Sequence, residues 1–101
     1  MLITLHLEKL QPGLYRASAL CGEVLVTRQA TYGSLEDAIR EEAQAIPDGF
    51  AWFADVEYGG ASSGTIPLKD LPARAADVAA QLVGVVAQMH AIAESATVVQ
   101  P

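Results

Sequence analysis

The sequence predicts an α+β domain: an antiparallel five-stranded sheet, elements in the order βββαββα, with both helices packed on one face. Three patterns lead to it. Ile3, Leu5 and Leu7 alternate with Thr4, His6 and Glu8, the period-two signature of a strand buried on one side. Leu35, Ala38, Ile39, Ala43 and Ile46 form a single helical stripe. Between Leu71 and Ala96 apolar residues recur at alternating four- and three-residue steps, a heptad seam. A chain of 101 residues makes one domain, read here as residues 1–96 with a flexible tail over 97–101.

The first strand ends at Gln11-Pro12-Gly13, where proline presets one dihedral and glycine tolerates a positive one. Leu14 to Leu20 forms the second strand, Cys21-Gly22-Glu23 a second tight turn, and Val24 to Ala30 the third strand. Connections this short make the three an antiparallel meander. Ser34, with Asp37 three residues on, caps the first helix. Glu36 and Arg40 stand four apart on its wet face, and Pro47-Asp48-Gly49 stops it.

Phe50 to Tyr58 reads as the fourth strand. Phe50, Trp52, Ala54, Val56 and Tyr58 share its core face, which assigns Trp52 to the core. Gly59 to Gly64 reads as a flexible loop, Thr65 to Leu68 as a fifth, edge strand bearing Pro67. Asp70 and Pro72 then open the last helix. That helix is more apolar than one core requires. Besides the seam it carries Ala76, Ala79, Ala80, Val83, Val86, Ala87 and Ala93, wider than the roughly 100° stripe of a one-sided helix. A homodimer seated on this helix is the expectation.

Composition narrows the function classes. Net charge is −6, and the six cations are scattered singly, so the chain lacks the basic patch that nucleic-acid binding needs. The acidic balance complements a basic protein partner. Cys21 is the only cysteine, which suits a reducing compartment. The N-terminal residues do not read as a signal peptide. The absence of a run of about 18 apolar residues argues against a membrane span. The expected setting is the cytoplasm of a bacterium.

Candidate sites are few. Gly59, Gly60, Ser62, Ser63, Gly64 and Thr65 combine glycines that let a backbone approach a ligand with hydroxyls that can hold an anion. The expected reading is nevertheless a plain hairpin connection, in which Ser62→Ala and Ser63→Ala are both tolerated; a partner-binding loop or an anion or substrate site is the alternative. His6, Glu8, Asp55 and Glu57 gather on the outer sheet face if the first and fourth strands are neighbours, but their spacing matches no metal motif. Cys21 and His90 stand alone and read as inert. Phe53, on the wet face of its strand, reads either as a locally covered ring or as an interface residue, and Leu82, Val83, Val86 and Met89 on the last helix are the other interface candidates. No cofactor or metal is implied.

Three strands followed by Tyr32-Gly33-Ser34-Leu35-Glu36-Asp37-Ala38-Ile39 resemble the core of the HicB antitoxins over residues 3–46. Ala19 to Glu23 stands where that family has a proline-rich segment, and the following residues show no DNA-binding pattern. The element order is also similar to that of the acidic, dimeric type III secretion chaperones, which carry an additional N-terminal helix. These resemblances imply an inhibitor or chaperone that covers a basic partner. The leading expectation is a small acidic, non-enzymatic protein that dimerises and binds another protein. A small-molecule-binding or enzymatic domain using residues 59–65 is the alternative.

Overall fold

The computed structural model describes residues 2–99, with side chains described as far as Ala93. The fold is α+β, but the sheet has six strands and is mixed. Strands β1 (Leu2–Gln11) and β2 (Leu14–Cys21) form the expected antiparallel hairpin, closed by Gly13 at φ +77°. The expected third strand divides in two. β3 (Val24–Leu25) pairs with Leu20 and Cys21, and β4 (Ala30–Tyr32) pairs with Tyr15 to Ala17 on the same edge of β2. Between them the Val26 N–H still donates to the Ala19 carbonyl at 2.8 Å. The Thr27 hydroxyl then accepts from the Ala19 N–H at 3.2 Å, where a strand would have placed a carbonyl.

Helix α1 (Leu35–Ala45) begins as read. The Ser34 side chain accepts from the Asp37 N–H at 3.1 Å, and Arg40 donates to Glu36 at 2.6 Å. α1 carries the chain across the sheet to β5 (Phe53–Tyr58), which lies beside β1 and runs parallel to it. This overturns the purely antiparallel five-stranded sheet. A helical crossover is the connection that permits parallel pairing, whereas the short turns of the first meander forbid it. β6 (Ala61–Pro67) completes an edge hairpin with β5, giving the order β3-β2-β1-β5-β6, with β4 also on β2.

A 3₁₀ turn over Leu68–Asp70, η1, leads into helix α2 (Leu71–Val99). Thr97 to Val99, assigned above to the tail, belong to this helix, while Gln100 and Pro101 lie outside the described residues. The core joins Ile3, Leu5 and Leu7 of β1, Ala54 and Val56 of β5, Ile39 of α1 and Leu71, Val78 and Leu82 of α2. Its members are aliphatic. Trp52 is not among them: it is 73% exposed, because the chain turns before β5 begins and the strand's alternation starts only at Phe53.

Candidate functional site

The parallel pairing of β1 and β5 brings the polar candidates of the outer face together. His6 lies opposite Glu57, with Nδ1 3.9 Å from Oε1, and Thr4 lies opposite Asp55. Glu8 is engaged with Arg16 across the β1–β2 ladder at 2.7 Å. Among the described residues no group of three or more His, Cys, Asp or Glu is placed to hold a metal ion.

The glycine–serine segment is not a loop. Gly59 and Gly60 are a two-residue hairpin turn, both at positive φ (59° and 87°), and residues 61–65 belong to β6. The Ser62 hydroxyl donates to Asp55 Oδ1 at 2.6 Å, and the Ser63 hydroxyl accepts from the Val56 N–H at 2.9 Å while donating to the Gly64 carbonyl. Those hydroxyls are engaged within the hairpin rather than turned toward an open anion cradle. The turn itself rests on α2. A Cβ added at Gly59 would lie 3.0 Å from Val86 Cγ2, and one at Gly60 3.5 Å from Met89 Cε.

The heptad seam divides at this contact. Its first half, Leu71, Ala75, Val78 and Leu82, is fully buried in the chain's own core, so Leu82 is not available to an interface. Val85 and Val86 are half-buried. Beyond them Met89 and Ile92 are 42% and 70% exposed, and Val83 stands half-exposed on the neighbouring face. Phe53 is 46% exposed on the outer sheet face, opposite Leu2 on β1 and Pro67 on β6. The stretch Leu68–Ala93 is long and apolar enough to cross a membrane, by length and composition.

A further site had no signal in the periodicity. A cleft of about 670 Å³ opens between the end of α1, the loop after it and the start of α2. Ile46, Ala51, Leu68 and three prolines, Pro47, Pro67 and Pro72, form much of its wall, with Trp52 and Phe53 beside them. Its polar side chains are Gln44, Asp48 and Lys69. The nearest sequence cue was the cluster Phe50, Trp52, Phe53, which strand alternation assigned to the two faces of one strand.

Compared with protein-family models, curated proteins and solved structures, the chain matches none. The resemblance to HicB antitoxins therefore rests on the helix-start residues, and that to secretion chaperones on an expected element order in which the third strand is here divided into β3 and β4.

Proposed function

We propose that this is an acidic protein that acts by binding rather than catalysis, self-associating through the distal half of α2 and presenting the rest of its surface to a protein partner. One observation carries the reading. α2 continues as a single helix for about 25 Å beyond Leu82, in a molecule measuring 55 × 26 × 25 Å. Such an overhang draws little stability from helix propensity alone, since most helical stability in proteins comes from packing an apolar face. The exposed side chains Met89 and Ile92 continue the buried seam along the same face, so a second copy offers what the core offers further up.

The bilayer is the weaker occupant. Inserting α2 would pull Leu71, Ala75, Val78 and Leu82 out of the core and carry Arg74 and Asp77 into hydrocarbon. The lone free thiol Cys21 suits a reducing, cytoplasmic setting. Light scattering on the purified chain tests the proposal. The expected mass is twice 10.6 kDa, returning to 10.6 kDa in Ile92→Glu with the circular dichroism spectrum of the domain retained. A wild-type monomer at about 100 μM, tighter than which a stable dimer would associate, overturns it.

A further inference from the structure

Every phenylalanine and tryptophan in this chain stands outside the core. Phe50, Trp52 and Phe53 are 40%, 73% and 46% exposed, and they lie within four consecutive residues. Burying large aromatic side chains is worth more than burying any aliphatic one. Yet the core is built from Ala, Val, Ile and Leu, and the three rings are held at the surface. Two of the three residues, Trp52 and Phe53, line the apolar cleft, which has the composition of a binding hot spot, in which tryptophan is an enriched anchor.

The polar lining narrows the ligand. Lys69 offers three donors, the Gln44 amide two and the Trp52 indole one. Among the described residues no side-chain hydrogen bond or ion pair engages the side chains of Lys69, Gln44 or Asp48, and Asp48 and Lys69 do not pair with each other. A site rich in donors and apolar rings suits a ligand rich in carbonyls and poor in N–H groups. An extended proline-rich peptide is such a ligand. Each proline contributes a carbonyl without an N–H, and the polyproline II backbone leaves its carbonyls free of internal hydrogen bonds. Aromatic-lined grooves are the surfaces that take such segments. Asp48 adds a carboxylate to the same cleft, in a chain of net charge −6, and selects a cation on the ligand.

We propose that the cleft bounded by Trp52, Phe53, Asp48 and Lys69 binds a proline-rich, extended segment of a partner protein that carries a basic residue beside the prolines. This names the chemistry of the partner invoked above and rests on that reading. It does not depend on α2 self-association.

Trp52 is the only tryptophan, so its fluorescence reports on the cleft directly. The probe is acetyl-Ala-Pro-Leu-Pro-Pro-Leu-Pro-Arg-amide, titrated into the full chain, with two controls: every proline replaced by alanine, and the arginine replaced by glutamate. The expected result is a saturable blue shift with a dissociation constant below about 1 mM, at least roughly ten-fold weaker for each control. Asp48→Asn is expected to abolish the preference for arginine over glutamate, and Lys69→Met to weaken the parent peptide, both with unchanged far-ultraviolet circular dichroism. No shift at about 1 mM peptide, or equal binding of the alanine control, overturns the proposal. So does an apolar dye that binds the cleft and is not displaced by the peptide, which would make the site one for small molecules. Light scattering of the same sample shows whether self-association stands when peptide binding fails.

Discussion

Glu42 lies on the buried side of α1, 2% exposed, and its Oε1 accepts from the hydroxyl of Thr27 at 2.9 Å. The same hydroxyl accepts from the Ala19 N–H of β2, and the Tyr32 phenol of β4 donates to the second carboxylate oxygen at 2.8 Å. One carboxylate thus fastens the broken third strand to the helix. Burying it is tolerable because both oxygens are hydrogen-bonded.

Removing that carboxylate leaves two donors without their partner. Glu42→Ala is expected to cost about 2 kcal/mol, a fall in melting temperature of roughly 10 °C for a domain of this size. Glu42→Gln keeps an acceptor for Thr27 and is expected to cost less. Hydrogen exchange supplies the local measurement: the amides of Ala19 and Val26 should lose protection in Glu42→Ala before those of β1 do. Unchanged protection there would show that β3 and β4 are held by their backbone ladders alone.

The Tyr32 phenol makes the same network sensitive to alkali. Burial, and then its hydrogen bond to Glu42, push its ionisation well above the usual tyrosine range. An acid whose folded-state pKa is raised contributes stability that is complete below its unfolded pKa, about 10 for tyrosine, and is lost as pH climbs above it. Melting temperature should therefore fall as pH climbs above about 10, and fall less in Tyr32→Phe. Part of the slope should survive, because burial, with Tyr15 nearby, also raises the Tyr58 phenol. Identical alkaline slopes in wild type and Tyr32→Phe would remove Tyr32 from the account.

Much of this architecture is legible in the residues, and the failures have physical causes. The alternation of Ile3, Leu5 and Leu7 and the Ser34 cap fix β1 and α1 because each is a local pattern with a local cause. The direction of β5 is not local. Only the crossover through α1 decides that Leu5 pairs in parallel with Val56, and periodicity is blind to strand direction. Trp52 failed for a related reason. Alternation carried back to Phe50 starts the strand three residues before Phe53, where β5 begins, and hydrophobicity then assigns to the core a ring that the chain holds outside it. The outer-face cluster depends on which strands are neighbours, which periodicity does not decide, and the β1–β5 pairing brings His6 and Glu57 within 3.9 Å. The cleft had no sequence signature because its walls come from three separated elements.

The hairpin turn between β5 and β6 should show its dependence on α2 through one glycine. Gly59 and Gly22 both sit at positive φ, 59° and 65°, but a Cβ on Gly22 meets nothing within 4 Å, whereas one on Gly59 meets Val86. Alanine at either position bears the left-handed strain of about 1 kcal/mol. Gly59→Ala should cost about 1 kcal/mol more through the crowded contact. In a Val86→Ala background that excess should vanish, a coupling that a double-mutant cycle in urea reads directly. Equal costs for Gly22→Ala and Gly59→Ala in the wild-type background would mean that the turn does not bear on the helix.

Ser62 and Ser63, neighbours in β6, should respond very differently to loss of the hydroxyl. The β5–β6 register slips between Asp55 and Glu57, so Val56, itself fully buried, finds the Ser63 hydroxyl opposite its N–H at 2.9 Å. Ser63→Ala deletes that acceptor in a position water reaches poorly, at a cost of about 1–3 kcal/mol. Ser62 is exposed, and its bond to Asp55 joins two surface groups, so Ser62→Ala should stay within about 0.5 kcal/mol of wild type. Sequence alone expected both serines to be dispensable; the slipped register makes Ser63 a missing rung of the sheet. Urea unfolding of the two single variants decides the matter, with the Val56 amide followed by hydrogen exchange in each. Matching midpoints, with Val56 still protected in Ser63→Ala, would show that the hydroxyl does not hold the bulge.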